Sequence, residues 1–236
     1  MPIRGLLCDA AGTLFAPARP VSATYAEVVA RFGPRIPRPH LDAAFTEVFE
    51  NAPPMAFPAA RASEIPGLER DWWRDLVRQV LLRAAPQGMP RDFEACFDAL
   101  FAHFSLPASW RLLPGAAAAL AAVRAQGLRV GIASNFDLRI YDILTGLGIA
   151  DAFEAVVLPA EVRTMKPDPR FFRHALVRLA LTAEETLFIG DDLERDLAGA
   201  QAVGIATIHA PSLATLGELP DRVAQLDASR RERTAN

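Results

Sequence analysis

The chain has 236 residues, 51 % of them hydrophobic and 22 % charged, with a formal net charge of −3. That length and apolar fraction supply a sizeable core, as one large domain or as a core domain plus a smaller one. No run of like charge is longer than the Arg230–Arg231 pair and its neighbours, so nothing points to nucleic acid or to an anionic membrane as partner.

The N-terminus opens on Met1-Pro2-Ile3-Arg4-Gly5-Leu6-Leu7-Cys8-Asp9, which lacks the basic region and long apolar stretch of a secretion signal. The most apolar stretch, 115–123, is bounded by Pro114 and Arg124 and is too short to span a bilayer. Cys8 and Cys96 lie far apart and form no metal-ligand pattern. The expectation is two buried, reduced thiols in a cytoplasmic protein. Of 25 basic residues, 24 are arginines and one is a lysine, Lys166.

Residues 3–8 form a short apolar run ending at Asp9 and followed by Gly12, which reads as a buried strand feeding a loop. From 16 to about 112 the apolar residues instead fall at helical spacing, over 21–32, 39–50, 69–83 and 92–104. No strand is expected among them. Trp72 and Trp73 lie on the third of these helices, at least one of them as core, and the Pro- and Ala-rich loop 53–67 reads as a cover. Strand-like runs then recur at 128–133, 155–158, 186–189 and 205–209. Helical patterns at 114–126, 137–147, 169–179 and 193–202 separate them. Such alternation predicts an α/β fold: a doubly wound parallel-sheet, Rossmann-like core, here with an all-helical insertion. The tail 227–236 is polar enough to fray. In doubly wound sheets the ligand crevice lies at the carboxyl ends of the strands. Asp9, Ser134, Lys166 and Asp191 all fall at or just after predicted strand ends.

Four segments there carry chemistry. In Asp9-Ala10-Ala11-Gly12-Thr13-Leu14-Phe15, the Gly and Thr let backbone N–H groups approach an anion, although a lone Asp after a strand also commonly caps a turn. Ser134-Asn135-Phe136-Asp137 follows a strand; these residues can cap the next helix, and a helix N-terminus is itself an anion site. Lys166, followed by Pro167-Asp168-Pro169, offers a compact ammonium in a chain otherwise basic through arginine. Last, Asp191, Asp192 and Asp196 crowd a strand-to-helix turn, where carboxylates are favourable in any case. If Asp9 joins them, up to four carboxylates face one lysine, and such a cluster cannot stay fully ionised without a cation. Oxygen-only ligands favour Mg²⁺.

In this order the four segments resemble the sequence motifs of the haloacid dehalogenase superfamily over roughly residues 3–212. Within it, residues 134–139, residues 166–170 and the Trp72–Trp73 pair resemble the subfamily of haloacid dehalogenase-like hydrolase domain-containing protein three. The resemblance implies a hydrolase core of residues 1–15 and 113–236, with 16–112 as a helical cap domain. It implies that Asp9 attacks the substrate to form a covalent aspartyl intermediate, with Thr13, Ser134 and Asn135 contacting the transferring group. Lys166 would neutralise charge, Asp196 would orient Lys166, and Asp9, the Ala11 carbonyl and Asp191 would bind Mg²⁺. The substrate it implies is a small phosphorylated molecule.

One position departs from the pattern. Phosphatases of the superfamily carry a second Asp two residues after the nucleophile as general acid, and here that residue is Ala11. Losing a general acid lowers the rate about 10²–10⁴-fold. Three readings stay open: a phosphohydrolase of substrates with good leaving groups or with a proton supplied by water or a cap residue, a 2-haloacid dehalogenase-like hydrolase, and a catalytically idle binding protein on the same fold. A Schiff-base mechanism using a cap lysine is excluded, since residues 16–112 contain none. Arg19, Tyr25 and the loop 53–67 are candidate contacts for setting specificity.

Overall fold

The computed structural model describes residues 1–85 and 88–235, and the chain divides into two compact units. The first comprises Met1–Ala16, Ala56–Pro58 and Arg111–Asn236; the second comprises Pro17–Met55 and Ala59–Trp110. Its elements in chain order are β1 (Gly5–Cys8), β2 (Phe15–Pro17), α1 (Val21–Ala30), α2 (Arg38–Glu50), α3 (Ile65–Ala84) and α4 (Phe93–Ser105). There follow β3 (Trp110–Leu112), α5 (Ala116–Ala125), β4 (Arg129–Ala133), α6 (Ile140–Gly146), β5 (Ala155–Val157) and α7 (Pro159–Val162). The chain closes with α8 (Pro169–Arg178), β6 (Thr186–Gly190), α9 (Gly199–Gln201), β7 (Ala206–His209) and α10 (Leu219–Ala235). Among the described residues, no helix is long and apolar enough to cross a membrane.

In the first unit, five parallel strands form one sheet in the order β5-β4-β1-β6-β7. All four residues of β1 and all five of β6 are buried, as a sheet covered by helices on both faces requires. One face packs on Phe171, Phe172, Leu176 and Leu179 of and beside α8, together with Phe188 of β6. Phe172 meets Phe171 and Phe188 edge-on at 6.1 and 5.5 Å. Burying each such ring stabilises the fold by about 1.5–3 kcal/mol.

The register sets the site. Cys8 lies opposite Ile132 on one side and Ile189 on the other, so Asp9 emerges level with the ends of β4 and β6. The chain runs outward from β1 through β4 to β5 and then returns to β6 on the opposite side. β1 is therefore at the point where strand order reverses, where open α/β sheets bind ligands.

The second unit is helical, with its own core built from Tyr25, Val29, Leu41, Val80, Leu81, Phe97 and neighbours, against which Trp72 and Trp73 pack half-buried. Tyr25 belongs to that core, 3 % exposed and in edge contact with Phe45, so it is not open to a ligand as the sequence allowed. Arg19 is held by Glu27 through two hydrogen bonds of 2.9 and 2.7 Å.

Three details differ from the sequence expectations. β2 and β3 form a separate two-stranded sheet; each has three residues, too few for alternation to register. The stretch 193–202 divides into a wider π-helical turn over Leu193–Ala198 and α9. The tail is helical through Ala235 rather than frayed, with Asn236 outside the described residues. Its anchors are Asp227, whose Oδ1 accepts from Ile3 N at 2.6 Å, and Arg230, which donates to the Glu184 carbonyl at 2.6 Å.

Candidate active site

Three carboxylates from two strand ends converge on one ammonium. Lys166 Nζ donates to Asp9 Oδ1 at 2.6 Å and to Asp196 Oδ1 at 2.5 Å. All three residues are buried, at 3, 7 and 2 % exposure. Asp9 N donates to the Ile189 carbonyl at 2.8 Å, which ties the start of its loop to β6. The ammonium also lies 5.4 Å from the centroid of the Phe188 ring, a favourable cation–π placement. Burial opposes the lysine's charge, but Asp9 and Asp196 outweigh it and hold Lys166 above the ordinary lysine range.

Asp191, on the turn after β6, completes the group. Carboxylate oxygens of Asp9, Asp191 and Asp196 all lie within 4.8 Å of one another. Thr13, fully buried, donates its hydroxyl to Asp191 Oδ1 at 3.0 Å. Burial and then the charge of Asp9 push the Asp191 carboxyl above the ordinary range, against the pull of that hydrogen bond. Burial is also the largest influence on Asp196 and raises its carboxyl; Lys166 opposes this and Asp9 adds to it. The neighbouring Asp192 has another task. It accepts from the backbone N–H groups of Glu194 and Arg195 at 2.9 and 2.8 Å and caps the π-helical turn.

Two glycines make room for this arrangement. Gly12 has φ of 99°, and a Cβ there would stand 2.4 Å from Asp191 Oδ2. On Gly190 a Cβ would stand 2.3 Å from Asp196 Oδ2. The cradle thus fits carboxylates and excludes side chains. Three carboxylates against one ammonium, all oxygen donors, make a donor set suited to a hard divalent cation.

The turn after β4 supplies the rest. Ser134 is 3 % exposed; its Oγ accepts from Phe136 N at 3.3 Å, and no described residue accepts its proton. Asn135 is committed elsewhere: its Oδ1 accepts from Lys166 N at 2.8 Å and its Nδ2 donates to the Lys166 carbonyl at 3.0 Å. Buried Asp137 is held by Arg139 through Nε at 2.8 Å and Nη2 at 2.6 Å. The peptide bond between Lys166 and Pro167 is cis.

A family model described as a haloacid dehalogenase-like hydrolase matches residues 3–204. The chain belongs to the haloacid dehalogenase-like hydrolases. It is 36 % identical over 209 residues to the mouse haloacid dehalogenase-like hydrolase domain-containing protein 3, covering 87 % of this chain and 80 % of that one. It is 33 % identical over 146 residues to a phosphoserine phosphatase of Thermus thermophilus, covering 61 % and 58 %. The L-2-haloacid dehalogenase of Xanthobacter autotrophicus, solved with chloropropionic acid covalently bound, shares the fold at a TM-score of 0.67 and 19 % identity over 94 % of this chain and 98 % of that one.

For this hydrolase the structure therefore brings Asp9, Thr13, Lys166, Asp191 and Asp196 into one cluster, with Ala11 on the Asp9 loop and Ser134 and Asn135 on the neighbouring turn. Sequence reading passed over three contributors. Gly190 was visible only as part of a Gly-Asp-Asp turn. Phe188 reads as an ordinary core residue, and His209, whose Nε2 lies 3.1 Å from the Asp191 carbonyl oxygen, carries no local signal.

Proposed function

We propose that this hydrolase is a Mg²⁺-dependent phosphohydrolase of small phosphorylated metabolites, acting through an aspartyl-phosphate intermediate. The observation that carries the reading is the cluster itself: three carboxylates within 4.8 Å of one another around a single buried ammonium. Such a set is short of positive charge, and both a divalent cation and a phosphoryl group's partners belong there. The relative named as a phosphoserine phosphatase supports the same direction.

In this reading a carboxylate oxygen of Asp9 attacks phosphorus, and the bond to the leaving-group oxygen breaks with its electron pair. Water then attacks the acyl phosphate, releasing inorganic phosphate and regenerating Asp9. Lys166 neutralises charge on Asp9 and on the phosphoryl oxygens, and Asp196 holds Lys166 in place. The Ser134 hydroxyl donates to the transferring group, and Thr13 fixes Asp191. Asp9, the Ala11 carbonyl and Asp191 would hold Mg²⁺, which when bound neutralises phosphoryl charge. The helical unit, as a cap, sets specificity.

Ala11 narrows the substrates. A methyl group cannot protonate a leaving oxygen, so the favoured substrates are those whose leaving group departs as a stable anion, such as acyl phosphates and anhydrides. Halide also leaves without a proton, which gives the dehalogenase reading its one specific support. The two separate on the metal. Hydrolysis of acetyl phosphate should stop with EDTA and return with Mg²⁺; turnover of 2-haloacids untouched by EDTA would overturn the phosphohydrolase reading. Turnover that disappears in Asp9→Asn excludes an idle binding protein.

A further inference from the structure

Asn135 stands 31 residues before Lys166 in sequence, yet its side-chain amide is engaged at both ends by the lysine's backbone. The Lys166 N–H donates to Oδ1 at 2.8 Å and Nδ2 donates to the Lys166 carbonyl at 3.0 Å. The pairing is reciprocal, so it fixes which end of the amide is oxygen. Ser134, one residue earlier, is the opposite case: a buried hydroxyl whose proton no described residue accepts. Likewise no described residue accepts from the backbone N–H of Asn135.

We infer that the side chain of Asn135 is a positioning residue for Lys166 and not a ligand of the substrate. The inference rests on the reading of Lys166 as the catalytic cation. Its physical basis is reach. A lysine side chain has four rotatable bonds, and Nζ must meet Asp9 after β1 and Asp196 beyond β6 simultaneously. Pinning the backbone of Lys166 at both its N–H and its carbonyl removes the freedom that would otherwise blur the position of Nζ. The turn after β4 thereby couples the lysine to the strand that neighbours the Asp9 strand.

The test exploits the single lysine of the chain. Labelling with ¹⁵N-lysine gives one backbone amide signal and one side-chain ammonium signal, both from Lys166. For Asn135→Ala the expected result is loss of the ammonium signal to solvent exchange. With acetyl phosphate and Mg²⁺, kcat should fall by about 10²-fold while KM changes less than about threefold, because a transition-state interaction is lost and not a binding one. Asn135→Asp keeps the acceptor for the Lys166 N–H, serves if the alanine variant does not fold, and should recover part of kcat. Ser134→Ala, by contrast, should raise KM. A raised KM with kcat preserved in Asn135→Ala, or an ammonium signal identical to the wild type in either Asn135 variant, would overturn the inference. If the wild type turns over no phosphorylated or halogenated substrate, the functional reading fails by itself, and the ammonium signal still decides the role of Asn135.

Discussion

Gly190 and Asp196 stand so close that a methyl group on the glycine would lie 2.3 Å from Asp196 Oδ2 and 2.6 Å from its Cβ. Gly190 ends β6, whereas Asp196 lies within the π-helical turn that follows. π-helical turns recur at functional sites, and here the turn brings Asp196 back over the strand end to meet Lys166. The absence of a side chain at Gly190 is what allows that return. Gly190→Ala should therefore displace Asp196 and loosen Lys166. The expected outcome is a stability loss of about 1–3 kcal/mol in denaturant unfolding, with a larger proportional loss of kcat. Unchanged kcat would mean that Asp196 does not position the lysine.

The charge balance of the cluster predicts a trade between stability and metal binding. Asp191 is raised by burial and by Asp9, so its native form binds protons more readily than the unfolded form. By linkage, this group's contribution to stability declines as pH rises from the unfolded pKa through the folded one, and at neutral pH the ionised carboxylate is a net cost. Asp191→Asn should raise the Tm of the metal-free protein. Mg²⁺ should stabilise the wild type by about 2.7 kcal/mol at a hundredfold excess over Kd, several degrees in Tm for a chain of this size, and should leave Asp191→Asn unmoved. Acidification should remove the Mg²⁺ shift at a higher pH than an ordinary carboxylate would. Thermal scans with and without Mg²⁺ across pH check all three.

Asp168 gives the opposite sign. Its carboxylate accepts from the side chain and backbone N–H of Arg170 and from the Thr164 hydroxyl, capping α8 just after the Lys166 loop. The Arg170 hydrogen bonds, first the side chain and then the backbone, hold the carboxyl well below the usual range. A depressed carboxylate contributes stability above its unfolded pKa and loses it as pH falls through the folded one. Asp168→Asn should be less stable than wild type at pH 7, because the amide still caps α8 but loses the charge-assisted bonds to Arg170. The gap should close under strong acid; a gap independent of pH would contradict the assignment.

Ala11 predicts a gain of function. Supplying a carboxyl there, as Ala11→Asp, should raise kcat/KM on alkyl phosphomonoesters by at least about tenfold, toward the ~10²–10⁴-fold that general acids contribute. Acetyl phosphate, whose leaving group needs no proton, should gain little. Equal effects on both substrates would show that Ala11 does not limit leaving-group departure.

Much of this was readable from sequence because strands and helices advertise themselves by period. The buried strands are short apolar runs bounded by breakers, and the helices of the second unit show helical spacing. β2 and β3 escaped because three residues carry no period. α10 escaped because its helical state rests on distant anchors such as the bond between Ile3 N and Asp227, which local polarity does not reveal. The same limit applies at the site. Residue types at Asp9, Lys166, Asp191 and Asp196 announce an acidic cluster that could hold a cation. That Thr13 serves Asp191 and that Asn135 serves the backbone of Lys166 depends on which strand lies beside which. Asp192 shows the reverse: its neighbours suggested a fourth member of the cluster, and the local capping bonds claimed it first.

If the proposed mechanism operates, Asp9 becomes phosphorylated during turnover. The most direct measurement is mass spectrometry of the protein acid-quenched during turnover of acetyl phosphate with Mg²⁺. One phosphoryl group is expected on the peptide that contains Asp9, absent with EDTA and absent in Asp9→Asn. Turnover that continues in Asp9→Asn, or a phosphoryl group carried on any other residue, would contradict it.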